Sequence, residues 1–241
     1  MYTLQSIWFG LIIFLLTVYA VLDGFDLGAG ILYLFSGEEK KRRIISAVGP
    51  FWDGNEVWLL TGGGATFAAF PNAYAAILST LYAPVIAVLL ALGLRAVSIE
   101  FRNKIENSAW RAFFGAVFSL SSLCSAFAMG LIVGNVVLGP SQDIYNTTAI
   151  VFGVAAVALF ILHGAAFLSD KKAPFILTSV AIIASAIVLS IISFPESFGT
   201  TSSYLTLKTM LILALIGMPF VVAYTVWAYV VLKRPAKNSL Y

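Results

Sequence analysis

Seven apolar runs, each long enough to cross a bilayer as a helix, constrain this chain more than any other feature. They cover 7–35, 51–70, 74–98, 110–138, 148–169, 174–194 and 206–232. A spanning helix needs about 20 largely apolar residues. The runs are long and show no two-residue alternation, so helices are preferred over barrel strands. Between them lie breaks: Ser36-Gly37 with a charge run, Pro71-Asn72, Gly139-Pro140-Ser141, Pro195 with a Ser/Thr-rich stretch, and Arg234-Pro235. Of the 241 residues, 61% are hydrophobic and only 10% charged, with a mean hydropathy of +0.98. A soluble domain of this size carries about 25% charged residues. The expected fold is an all-α, polytopic transmembrane helix bundle of about seven spans.

The placement of lysine and arginine sets an expected orientation. Lys40, Lys41, Arg42 and Arg43 lie between the first two runs. Arg95, Arg102, Lys104 and Arg111 flank the third connection, Lys171 and Lys172 the fifth, and Lys233, Arg234 and Lys237 follow the last run. Thirteen of the fourteen basic residues thus fall on one side, with Lys208 opposite. The N-terminus is expected outside and the C-terminus in the cytoplasm. Tyr204, Trp227 and Tyr229 suit interfacial aromatic anchors. The first run lacks a basic leader and continues well past residue 22, so a retained helix is expected rather than a signal peptide. The net charge of +3 sits in short connections, which argues against a nucleic-acid partner. The single Cys124 excludes a disulfide framework within the chain and a thiolate metal site. No second domain, low-complexity segment or clear repeat is visible.

Ionisable groups inside spanning helices are costly and mark functional sites by default. The first run carries Asp23 and Asp26 within Val21-Leu22-Asp23-Gly24-Phe25-Asp26-Leu27-Gly28. At about 1.5 Å rise per residue, Asp26 lies roughly 13 Å and Asp23 roughly 18 Å from the end of the run at Phe35. Their i,i+3 spacing puts both carboxylates on one face. Gly24 and Gly28 on that helix allow another helix to approach closely. Two roles stay open for these acids. They accept hydrogen bonds from neighbouring helices or pair with Arg95, or they relay protons between waters.

The second run opens with Gly49-Pro50-Phe51-Trp52-Asp53-Gly54-Asn55-Glu56-Val57-Trp58, again with two acids at i,i+3. Acids in a first turn after a proline complement the helix dipole. Alternatively, Asp23, Asp26, Asp53 and Glu56 line an acidic path from the cytoplasm toward mid-membrane, balanced or gated by Arg95 and Glu100. Gly62-Gly63-Gly64 is followed by no Lys-Ser/Thr and lies inside a span, so it reads as close helix packing rather than a phosphate loop. Asn146-Thr147-Thr148 matches a glycosylation sequon, a weak signal. His163, the sole histidine, is either a hydrogen-bonded bundle residue or a group that binds haem iron or carries protons. The four methionines are scattered and read as packing. With one histidine the chain has little capacity for haem, and no metal site is expected.

The motifs taken together carry a resemblance. Asp23-Gly24-Phe25-Asp26-Leu27-Gly28 resembles the DGFD-x-G signature of subunit II in cytochrome bd-type quinol oxidases. Gly49 to Leu59 is similar to that family's P-x-WDGN-x-VWL segment, and Gly63-Gly64-Ala65-Thr66-Phe67-Ala68-Ala69-Phe70-Pro71 to its GGA-x-FAA-[WF]-P stretch. Arg95 and Phe101-Arg102-x-Lys104 match the next connection. The similarity is close over 1–139, a first four-helix bundle. It is looser over 140–241, in His163-Gly164-Ala165-Ala166-Phe167-Leu168 and Ser202-Ser203-Tyr204-Leu205-Thr206-Leu207, within one integral membrane domain.

The resemblance implies a subunit of an enzyme that oxidises quinol, ubiquinol or menaquinol, and reduces oxygen to water in a prokaryotic plasma membrane. It implies a partner subunit I holding two b-type haems and a d-type haem, with protons taken from the cytoplasm. Small single-helix accessory subunits and membrane lipid or quinone are further expected partners. By the same resemblance Asp23, Asp26 and Asp53 correspond to the family's intramembrane acids. Trp52 and Arg95 match other motif positions, and Glu56 stands where some members have Gln. The family has about nine helices, and here the chain runs from Ser169-Asp170-Lys171-Lys172-Ala173 into what resembles the penultimate one. About two helices therefore lack a counterpart, and the second half is expected to be shortened. Besides the oxidase subunit, a purely structural scaffold and an independent proton-coupled transporter are the competing functions.

Overall fold

The computed structural model describes residues 2–138, 143–169, 171–193 and 201–232. Lys233, Arg234, Lys237, Pro195 and the Gly139-Pro140-Ser141 break lie outside them. The described residues form helices α1 (Tyr2–Tyr33), α2 (Glu38–Val48), α3 (Trp52–Ala69), α4 (Pro71–Thr80), α5 (Tyr82–Phe101), α6 (Ser108–Leu138), α7 (Thr147–Leu168), α8 (Lys172–Ser193) and α9 (Tyr204–Leu232). The fold is all-α, as expected for a chain whose backbone groups must be satisfied within each segment.

Six of these helices, α1 and α5 through α9, are long and apolar enough to cross a membrane. The expected count of seven is thereby reduced by one on length and composition. The exception is α3, which is helical but only 18 residues long, about 27 Å. It carries Asp53, Asn55, Glu56 and three consecutive glycines, so its sequence is the least suited to lipid. The run at 74–98 also differs from expectation. It starts earlier, at Pro71, and breaks at Leu81 between α4 and α5. Pro84 explains the break, because its ring cannot sit one turn beyond a helical Thr80 carbonyl. The charged connection after α1 contains a helix of its own, α2. It buries Ile44, Ile45 and Val48 and exposes Glu38, Glu39 and Lys40.

α1 is the central element and packs on α3, α6 and α7. The closest crossing is with α7. A Cβ on Gly28 would strike the Phe160 carbonyl, and one on Gly164 would strike the backbone at Gly28 and Ala29. Gly24 faces the Phe160 ring in the same way. The expected close packing on the Gly24/Gly28 face is therefore present. In the triplet at 62–64, Gly62 abuts Leu16, while nothing else within the chain lies against Gly63 or Gly64. Asn146 of the sequon caps α7, its side-chain oxygen accepting from the Ala149 N–H at 2.9 Å. Cys124 is exposed on α6.

One end of the bundle is closed by Tyr33, Ile44, Ile45, Val48, Ile99 and Phe118, with Trp52 and Leu168 against them. Arg102 donates to the Tyr33 hydroxyl at 2.6 Å there, joining α5 to α1. The opposite end is closed by Trp8, Phe9, Ala69, Phe70, Ala73 and Leu207. α9 lies on the outside, touching α1 and α3. Between them runs an apolar groove of about 760 Å³, lined by Ile7, Leu11 and Phe14 and by α9 residues around Pro219.

Candidate functional site

Three of the acids singled out from the sequence, Asp23, Asp26 and Glu56, meet in one cluster. Asp23 and Asp26, one turn apart on α1, are fully buried. α3 starts beside them and turns Asn55 and Glu56 toward α1, while α5 contributes Arg95 from the third side. Arg95 is the largest fully buried side chain among the described residues. Its Nη2 donates to Asp23 Oδ1 at 2.6 Å and to Glu56 Oε1 at 2.7 Å. Asp23 is wholly enclosed, whereas the Glu56 side chain is 21% exposed. The bridge thus runs from the core toward the surface.

Asp26 has a different environment. Its Oδ2 accepts from Asn55 Nδ2 at 2.8 Å, and the same nitrogen donates to the Leu22 carbonyl at 3.2 Å. The Asn55 oxygen accepts from the Tyr229 hydroxyl of α9 at 2.9 Å. Asp26 therefore rests on a neutral amide while Asp23 rests on a cation. Four buried atoms of the cluster, Asp23 Oδ2, Asp26 Oδ1, Arg95 Nε and Arg95 Nη1, make no hydrogen bond within the chain. One guanidinium faces three carboxyl groups, an imbalance that a bound proton or an outside cation relieves. Chemically the cluster can hold charge inside an apolar bundle and exchange protons with whatever reaches its open atoms.

Other residues singled out from sequence lie elsewhere. Asp53 is exposed in the first turn of α3, where it complements the helix dipole. Glu100 is exposed near the end of α5, outside the cluster. Trp52 is half-buried against the cluster that closes the α2 end of the bundle. Tyr204 and Trp227 are exposed, as membrane-facing anchors would be. Tyr229 is not an anchor of that kind, because its hydroxyl turns inward to Asn55.

His163 is buried, and both ring nitrogens are engaged. Nε2 lies 2.9 Å from the Val21 carbonyl and Nδ1 lies 2.7 Å from Thr178 Oγ1. A carbonyl only accepts, so Nε2 carries the proton, while Nδ1 faces the threonine hydroxyl. The histidine ties α7 to α1 and α8. Among the described residues, no group of three or more His, Cys, Asp or Glu is placed to hold a metal ion.

Three members of the site were not anticipated. Asn55 stands within the Trp52-to-Glu56 segment, and a carboxamide inside a largely apolar run is itself a signal. Tyr19, whose hydroxyl donates to Met129 Sδ at 3.6 Å, lies beside Asp23 one turn earlier on α1, and its spacing from Asp23 and Asp26 is legible. Tyr229 is 174 residues from its partner, and nothing local announces the contact.

The family described as cytochrome bd terminal oxidase subunit II matches residues 4–188. The chain is 39% identical to cytochrome bd ubiquinol oxidase subunit 2 of Bacillus subtilis over 182 residues, covering 70% of this chain and 54% of that protein. It is 36% identical to cytochrome bd-I ubiquinol oxidase subunit 2 of Escherichia coli K12 over 185 residues, covering 70% and 49%. A probable cytochrome oxidase subunit 2 of Haemophilus influenzae gives the same identity and coverage. The chain spans about half the length of these curated relatives. A family match over most of the chain, including α1, α3 and α5 that build the acidic cluster, shows that the chain belongs to the cytochrome bd terminal oxidase subunit II family.

Proposed function

We propose that the chain serves as subunit II of a membrane-bound quinol:oxygen oxidoreductase, conducting protons from the cytoplasm toward a haem-bearing partner. In this reading α3 is a seventh span, shielded from lipid by that partner. The N-terminus is outside, and the basic connections at the α2 end of the bundle face the cytoplasm. Electron transfer takes place in the partner, which holds haem b and haem d and works with ubiquinol or menaquinol. The complex resides in a prokaryotic plasma membrane.

The observation that carries the proposal is the contrast between two buried carboxyl groups. Asp23 is locked to Arg95, while Asp26 has a neutral partner on one oxygen and none within the chain on the other. A fixed ion pair is a poor carrier, because moving its proton breaks the bridge. Asp26 is free of that restraint and is the group best suited to pass protons. Glu56, partly exposed and bound to Arg95, forms the entry, with Asp53 outside it.

Replacing Asp26 with Asn in the assembled complex should slow proton-coupled oxygen consumption about tenfold or more, a barrier change of ~1.4 kcal/mol per tenfold. Unaltered turnover in an assembled Asp23→Asn/Asp26→Asn double variant would sink the proton-path role. The Asp23–Arg95–Glu56 bridge also favours a second reading, a scaffold whose ion pairs only hold helices together. Loss of assembly with unchanged activity per assembled complex supports that alternative.

A further inference from the structure

We propose that Tyr229, near the end of α9, is a positioning residue for Asp26: its hydroxyl holds the Asn55 carboxamide with the NH2 edge turned onto that carboxyl group. The inference deepens the proton-path reading and rests on it for its functional consequence.

The hydrogen bonds determine the amide's orientation without ambiguity. The Leu22 carbonyl can only accept, so the Asn55 edge 3.2 Å from it is the NH2 group. The same nitrogen reaches Asp26 Oδ2 at 2.8 Å. The amide oxygen is then left facing Tyr229, whose single hydroxyl proton must point to it across 2.9 Å. Turning the amide over would set its oxygen against two acceptors, the Leu22 carbonyl and the Asp26 carboxylate. Each buried polar group left unmatched in this way is costly. The tyrosine hydroxyl supplies the third contact, which holds the amide oxygen in the orientation that the two acceptors set.

The ring carrying that hydroxyl is itself held. It stacks on Phe51 at 4.3 Å and 12°, and meets Phe25 edge-on at 6.3 Å. Phe25 lies between the two aspartates in sequence and is fully buried. Neighbours of Tyr229 on α9 face outward: Tyr224, Trp227 and Val230 are more than half exposed. Tyr229 therefore carries the docking of an outlying helix into the acidic cluster. It lies beyond residues 4–188, where the family match ends.

The test uses the full chain in lipid nanodiscs. Infrared spectra with 13C-labelled aspartate, referenced to Asp26→Asn, isolate the Asp26 carboxyl stretch. Tyr229→Phe keeps both aromatic contacts and removes only the hydroxyl. It should displace that stretch while helix content stays put, a signature that a merely structural tyrosine would not produce. A stretch coincident with that of the unmutated chain overturns the proposal. If the variant does not fold, the unmutated chain labelled with 15N-asparagine decides. The Asn55 side-chain amide should exchange with solvent far more slowly than that of exposed Asn107, and equal exchange overturns the proposal. In the assembled complex, Tyr229→Phe should lower oxygen turnover several-fold. Where Asp26→Asn leaves turnover intact yet Tyr229→Phe still moves the stretch, the proton path fails and the positioning stands. Where Asp26→Asn slows turnover and the stretch does not move, the reverse holds.

Discussion

Arg95 shows how one side chain controls a membrane interior. Its charge is tolerable because two carboxylates meet one of its nitrogens, and those carboxylates are tolerable because of it. Removing one partner of a buried pair leaves an uncompensated charge and costs about 3–5 kcal/mol. Arg95→Leu should therefore destabilise the chain by roughly that amount, measured by denaturant unfolding in detergent. Outside the spans, Glu38 offers a milder case. Lys41 donates to it at 2.9 Å, and this contact holds its carboxyl below the usual glutamate range. A depressed folded value means the pair supports α2 above the unfolded value and loses that support as pH falls through the folded one. Lys41→Ala should return the Glu38 titration, followed by carbonyl NMR, to the ordinary range. Asp23, Asp26, Glu56 and Arg95 are legible as a set because each is out of place in an apolar run. Which carboxyl takes the cation is not legible, since the i,i+3 spacing treats Asp23 and Asp26 alike.

At the scale of helices, the glycines separate contact from exposure. Gly28 and Gly164 face each other across the α1–α7 crossing, where a methyl group has no room. Gly164→Ala should push the helices apart and cost about 1–3 kcal/mol, as overpacking does elsewhere. Gly63→Ala has open space around it and should leave the isolated chain unchanged or stabilise it by up to about 1 kcal/mol through helix propensity. Thermal unfolding of the two variants side by side checks both. The sequence marks both glycine groups as packing elements, and composition cannot distinguish them. Whether a glycine touches a neighbour depends on the rotation of its helix, which the other helices set. The break at Leu81 is different in kind. Pro84 announces it locally, so the run at 74–98 was readable as two helices.

For the whole molecule, the position of α9 is the main uncertainty that folding resolves. Its start is tied by the Trp8 indole donating to the Leu207 carbonyl at 3.0 Å, and by Ser202, just before the helix, donating to the Ala68 carbonyl at 2.7 Å. Its far end is tied by Tyr229. Along its length, Leu207 is buried and most other side chains face outward. A helix with so few buried contacts opens at lower free energy than the core. Hydrogen exchange in nanodiscs should show weaker protection in α9 than in α1, and Trp8→Phe should weaken it further by removing one hydrogen bond worth about 1 kcal/mol. Equal protection of α1 and α9 would contradict this hierarchy.

The sequence alone determined that the chain is a helical membrane bundle, roughly where most of its long helices run, and which acids and arginine are out of place inside them. These follow from local quantities: the length of apolar runs, the cost of charge in hydrocarbon, and the geometry of proline. Only the tertiary structure decided that Arg95 bridges Asp23 and Glu56 while Asp26 rests on Asn55, that Asp53 and Glu100 stay outside, and that Tyr229 turns inward. Those outcomes depend on the relative rotation and depth of helices far apart in sequence. Many side chains set them jointly, and no single segment encodes them.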